Sequence, residues 1–257
     1  MSITRSSLLP EQRELARFEA RLNVLEEELV DRELEAATLH RELHVFKAHY
    51  LTAVGWRLAE LDQVDADIAV IIARDDPSPR AQREMREKLA RAQQSKDALD
   101  EDLSHLLGRD DLERIITPEL RKLFRQVAKA MHPDLAADEP ERLLRERFMA
   151  KANRAYQRSD LEALQAVLEE WNALPEIVVG VDIGAALVRA IRAIAAVEAR
   201  LAAIAEERTA LGTESLYALF ERARRARDEG RDLLREMADE LDLRTARARE
   251  RLSGLGL

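Results

Sequence analysis

Few residues in this 257-residue chain have the types and spacing that chemistry needs. The most informative group is His132-Pro133-Asp134, an imidazole and a carboxylate two positions apart with a proline between them. It follows the run ELRKLFRQVAKAM, where Arg121, Lys122, Arg125 and Lys129 are four basic side chains against one acid, Glu119. At helical periodicity the apolar residues Leu120, Leu123, Phe124, Val127 and Met131 share an inner face and the cations lie on the outer one. In a chain of net charge −9 this local basic face beside a loop stands out, and taken alone it reads as a solvated helix surface. Other groups offer less. His40 and His44 stand one turn apart, a spacing that suits two metal ligands, but no third ligand accompanies them. Arg222, Arg224, Arg225 and Arg227 form a basic run, yet Glu221, Asp228, Glu229 and Asp232 surround it, as on a salt-bridged solvated face. Asp182 and Gly184 lack the context of a phosphate loop. The chain has no cysteine, which removes thiol nucleophiles, disulfides and thiolate metal sites together. No nucleophile, base and orienting group form a set, so the expectation is a protein that is not an enzyme and carries no cofactor or metal.

These residues need elements to hold them. After Pro10, positions 15, 18, 22, 25, 29, 32, 36, 39, 43, 46 and 50 alternate spacings of 3 and 4, and only Arg32 breaks the apolar stripe. A period of 3.5 sustained in this way predicts a coiled-coil seam. The spacing then becomes 4 three times, at Phe46, Tyr50, Val54 and Leu58, with Gly55 and Trp56 at the shift. That change of phase predicts a kink or a side-on contact with another part of the chain. Asp75-Asp76-Pro77-Ser78-Pro79 ends this helix, which would be roughly 100 Å long. A second helix, with Met85, Leu89, Ala92, Lys96, Leu99, Leu103 and Leu106 as its stripe, should fold back antiparallel and close at Gly108.

Thr117-Pro118 opens the next helix with a capping residue and an N1 proline, and that helix runs to about Met131. A loop from His132 to about Glu139 leads to a helix over 140–157, and Ser159-Asp160 caps another from Leu161 to Trp171. Leu174-Pro175 starts a linker. The last third reads as a second long hairpin, with Ile183 to Leu211 paired with Leu216 to Leu252 about a turn at Gly212-Thr213-Glu214-Ser215. The small residues Ala223, Ala226 and Gly230 would let its two backbones approach closely. The expected fold class is therefore all-α and elongated, with long antiparallel coiled-coil hairpins at 1–110 and 174–257 flanking a small helical module at 111–173.

The segment 119–171 carries a further signal. His132-Pro133-Asp134 after LRKLFRQVAKAM and before MAKANRAY resembles the J domain of DnaJ-type co-chaperones, which act on the DnaK class of heat-shock chaperone ATPases. The matching positions are Leu120, Arg121, Lys122, Phe124, Arg125, Val127, Ala128 and Met131 before the tripeptide, and Ala155-Tyr156 after it. Met149 stands where the family usually has Phe, and Phe148 is one position early. The resemblance implies that the outer face, with Arg121, Lys122, Arg125 and Lys129, docks on an acidic surface of the chaperone. It also implies that Asp134 engages a basic residue there and favours hydrolysis, that Pro133 fixes the loop, and that His132 orders it by hydrogen bonding. The family's short first helix is not recognisable before Thr117, and its Gly/Phe-rich linker, zinc module and β-sandwich domain are absent. The resemblance thus covers about 55 of the 257 residues. The long helices would bind a client, a partner protein or a second copy of the chain.

Composition agrees with this organisation. Charged residues are 35 % of the chain and aromatics 4 %, with 8 Gly and 7 Pro, so turn-formers are too scarce for a β-sandwich or a doubly wound sheet. The net charge of −9 argues against nucleic acid as a partner, which needs a basic footprint. No stretch approaches the roughly 20 apolar residues of a membrane span, and the first fifteen residues lack a signal-peptide apolar core. A cytoplasmic location is the expectation, and the absence of cysteine fits a reducing compartment.

Overall fold

Long stretches of Ala, Leu, Glu and Arg, uninterrupted by Pro or Gly, favour helix at every position. The computed structural model describes residues 9–104, 114–136, 138–174 and 183–255, and among them there is no strand, so the protein is all-α. The helices are α1 (Pro10–Tyr50), α2 (Trp56–Asp75), α3 (Pro79–Ser104), α4 (Pro118–Met131), α5 (Glu139–Gln157), α6 (Leu161–Asn172), α7 (Ile183–Gly212), α8 (Ser215–Asp228) and α9 (Leu233–Gly254). Gly108, Leu106 and the linker from Pro175 through Gly180 lie outside the described residues.

The change of phase expected near Gly55 is a five-residue π turn, Leu51–Gly55, that joins α1 to α2 without leaving helical geometry. A π turn takes up one extra residue, which rotates the apolar face as the spacing of four requires. A Cβ at Gly55 would stand 3.2 Å from Leu51 Cδ2 and 3.4 Å from Leu99 Cδ1, so glycine admits the close approach of α3. Trp56 is exposed, donates from Nε1 to the Thr52 carbonyl and lies under the Arg57 guanidinium.

Contacts divide the chain into two compact units that cut across the consecutive segments read from the sequence. One comprises Met1–Arg41 and Arg109–Thr213, the other Glu42–Gly108 and Glu214–Leu257. In the second unit α2 and α3 run antiparallel, cross-linked from Gln82 to the Ala73 carbonyl, from Lys88 to Asp65 and from Ser95 to Asp62, and Lys47 at the end of α1 reaches Asp102 of α3. The row of α3 that faces inward is Ala81, Met85, Lys88, Ala92, Ser95, Leu99 and Asp102. The expected stripe was half right: Leu89 and Leu103 are exposed. Lys88, Ser95 and Asp102 take the inward row because each bonds a polar partner across the interface, and apolar periodicity does not register such a pair. Phe220 of α8 meets Phe46 edge-on at 5.4 Å, and Leu241, Leu234 and Met237 of α9 pack with Val54 and Leu61.

The return helix expected over 216–252 is broken. Gly230 has φ +77, the left-handed conformation that ends α8, and Asp232 caps α9 by accepting from the Arg235 amide. Gly230 is therefore a helix terminator, and a Cβ there would meet nothing within 4 Å. The hairpin partners expected for this third also differ: α7 packs with α1 in the first unit and α9 with α2 in the second.

In the first unit α1 has two buried faces. Leu22, Leu25, Leu29 and Ala36, all four on the predicted seam, pack with Val197, Leu201 and Ile204 of α7. The ion pairs Arg21–Glu198, Glu33–Arg200 and Glu35–Arg208 advance in the same direction along both helices, so α1 and α7 run parallel here. The second face, Val30, Leu34 and Ala37, joins the core of α4, α5 and α6.

Candidate protein-docking site

The site is built on α4. Thr117 Oγ1 accepts from the Leu120 amide at 3.1 Å and Pro118 occupies the first turn, so the helix starts where the sequence directs. Its apolar positions Leu120, Phe124, Val127, Ala128 and Met131 are buried, while Leu123 is partly buried. They face Phe148, Met149, Ala152, Ala155 and Tyr156 of α5. The Phe124 and Tyr156 rings lie 4.6 Å apart at one end, and Arg145 reaches the last carbonyls of α4 at the other, so α4 and α5 are antiparallel. Phe148 and Met149 are both buried, and Phe148 packs edge-on against Trp171 of α6 at 5.3 Å. On α6, Leu164 and Val167 are buried against this core and Leu168 and Trp171 partly buried, whereas Leu161 is exposed.

His132 ends α4 in extended conformation, and Pro133–Leu135 forms a single 3-10 turn. Proline cannot continue the α-helical hydrogen-bond ladder, which is why the turn begins there. The His132 ring is buried. Its Nδ1 accepts from the Asp134 amide at 3.2 Å, and its Nε2 faces Glu33 Oε1 of α1 at 3.1 Å. Acceptance at Nδ1 assigns the ring proton to Nε2, which then donates to the Glu33 carboxylate. The histidine ring is thus hydrogen-bonded both to the backbone of the turn and to α1. The Asp134 carboxylate is partly exposed, 3.6 Å from the same ring. Asp138, not Asp134, caps α5, accepting from the Glu141 amide at 2.9 Å.

Three residues that the motif did not single out hold this loop. Glu33 is buried and accepts from both His132 and Arg200 Nε, the latter at 2.7 Å. Burial opposes its charge, but the hydrogen bonds from His132 and Arg200 prevail and hold its carboxyl below the ordinary range. Arg200, on α7, also pairs with Glu207. Arg145, on α5, donates to the carbonyls of Ala130 and His132, pairs with Glu141 and lies near the Trp171 ring. Carbonyls at the end of α4 have no intrahelical donor, so a cation reaching them was to be sought on the facing helix. Glu33 and Arg200 carry no such local signal. Tyr156 adds one more tie, sharing a 2.8 Å hydrogen bond with Thr38 of α1.

The four basic residues lie together on the exposed side of α4 but in two environments. Arg121 and Lys122 are exposed and pair with no acid among the described residues. Arg125 pairs with Asp31 and Lys129 with Glu27, each at 2.9 Å and each across to α1. Elsewhere, His40 is exposed and His44 partly exposed, and among the described residues no three His, Asp or Glu side chains converge as metal ligands. No described helix is long and apolar enough to cross a membrane. Comparison with protein-family models, curated proteins and solved structures finds no match to this chain.

Proposed function

We propose that the protein is a J-domain co-chaperone that recruits a DnaK-type heat-shock chaperone and stimulates its ATPase. The observation that carries this reading is the conjunction at the end of α4. His132-Pro133-Asp134 forms an ordered turn, Asp134 is partly open to solvent, and the turn follows a helix with an apolar inner and a basic outer face packed antiparallel on α5. Arg121, Lys122, Arg125, Lys129 and Asp134 would contact the chaperone, while His132 and Pro133 set the loop. The remaining helices would bind a client or a partner protein or mediate self-association, and the cytoplasm is the compartment proposed. The chain itself carries out no catalysis in this reading and needs no cofactor.

One observation favours a second reading, a structural helical scaffold whose J-like module is only an interaction element. His132 is engaged by Glu33, so the tripeptide also performs an internal structural role. Single-turnover ATP hydrolysis by the DnaK-type chaperone separates the two. A co-chaperone raises the rate, and Asp134→Asn abolishes the increase. Equal rates with wild type, with Asp134→Asn and without addition would overturn the co-chaperone reading.

A further inference from the structure

The basic side of α4 is already in contact with an acidic surface, and that surface belongs to the same chain. On α1, Glu27 and Asp31 are four residues apart and so share a face. On α4, Arg125 and Lys129 are likewise four apart. The pairs form in opposite order, Asp31 with Arg125 and Glu27 with Lys129, so two antiparallel helices meet with matched charges. Val30 and Leu34, between and beside those acids, are buried in the core that includes Phe124 and Val127. The contact continues into the loop. Glu33 takes the His132 ring, and Leu135 packs against the cluster of Leu29, Val197 and Ile204. One helix therefore supplies acids to the basic face, a partner for the histidine and an apolar seat for the end of the turn.

The two outer pairs are exposed, with the Lys129 and Glu27 side chains 58 % and 71 % open to solvent. Such pairs are weak and exchange readily with other charges. The inner contacts at Glu33 and Leu29 are buried and persist when the outer pairs open.

We infer that the acidic face of α1 is a cis occupant of the docking face, so that a chaperone must displace Glu27 and Asp31 from Lys129 and Arg125 in order to bind. This inference rests on the reading of α4 and its loop as a chaperone-docking surface. It makes α1 the regulator of that surface: any event that draws the α1 acids away, including engagement of α1 by a client or partner, raises the affinity of α4 for the chaperone.

The test uses the full chain and Glu27→Gln/Asp31→Asn. Both side chains are largely exposed and lie outside the core, so the variant retains its fold. Two readouts are taken. The first is the rate of amine labelling of Lys129 relative to Lys122, by mass spectrometry, with no chaperone present. Protection of Lys129 in wild type, lost in the variant, is expected, and equal reactivity in wild type overturns the cis cover whatever the chaperone does. The second is the concentration of chain giving half-maximal stimulation of single-turnover ATP hydrolysis by a DnaK-type chaperone. A several-fold lower concentration for the variant is expected, with loss of stimulation when Asp134→Asn is added. If wild type and variant stimulate alike and Asp134→Asn abolishes both, the co-chaperone reading holds and the regulatory inference fails. If Lys129 is protected but neither protein stimulates, the co-chaperone reading fails and takes the regulatory role of the cover with it.

Discussion

Glu33→Ala probes the link between the loop and the rest of the first unit. The carboxylate accepts from His132 Nε2 at 3.1 Å and Arg200 Nε at 2.7 Å, and its side chain is 10 % exposed. Removing one partner of a buried ion pair typically costs about 3–5 kcal/mol, because the remaining charge stays desolvated. Arg200 keeps 30 % of its side chain in water and a second partner in Glu207, so it loses less. We therefore expect about 2–3 kcal/mol, below that fully buried range. The chain has two tryptophans, and Trp171 lies in the first unit. With Trp56→Phe as background, urea denaturation followed by Trp171 fluorescence reports on this unit alone. Glu33→Ala and Arg200→Ala should be non-additive by about 1 kcal/mol or more, since both act on one network. Glu33→Gln keeps the volume and isolates the charge. The folded-state carboxyl is held below its ordinary value of 4.5, so its contribution is complete above that value and is lost as pH falls through the lowered one. The stability gap between wild type and Glu33→Gln should be flat at neutral pH and shrink below about pH 4.5. A cost under about 0.5 kcal/mol, the scale of an ordinary surface change, would refute the reasoning. Additivity with Arg200→Ala, or a gap that widens on acidification, would refute it equally.

Two further outcomes test the scaffold. Phe124→Ala deletes a fully buried ring that touches Tyr156, and should cost the first unit about 3–5 kcal/mol in the same urea assay. Gly230→Ala forces a side chain into left-handed geometry and should lower the stability of the second unit by about 1 kcal/mol, read by urea denaturation with Trp56 as sole tryptophan; no change would mean that the turn relaxes freely.

Much of the helical layout was legible because caps, prolines and apolar periods act locally. Thr117-Pro118, Asp160 and Pro77 set boundaries wherever the helices later pack. The phase change at Gly55 was visible because a π turn alters the spacing of apolar residues along one helix. Partner choice was not legible. An apolar seam shows that a face is buried, not which helix buries it, so α7 and α9 were assigned to each other although α1 and α2 cover them. The second buried face of α1 escaped for a related reason: Val30 and Ala37 follow the seam residues Leu29 and Ala36 by one position and Leu34 lies two positions from the seam, and a single stripe was sought. Polar positions were the least legible. Glu33 looks like any surface acid in the sequence, and only its placement against His132 and Arg200 gives it a role. That Arg121, Lys122, Arg125 and Lys129 share one exposed side of α4 follows from helical spacing, but the pairing of two of them with Glu27 and Asp31 depends on a contact about a hundred residues away.

The most direct test of the central claim is amide hydrogen exchange of the full chain, with and without an ATP-bound DnaK-type chaperone. The account predicts altered exchange over 118–136, slowed in α4 and its loop, and no such change with Asp134→Asn. Unchanged exchange over 118–136, with any protection confined to helices outside it, would contradict the account.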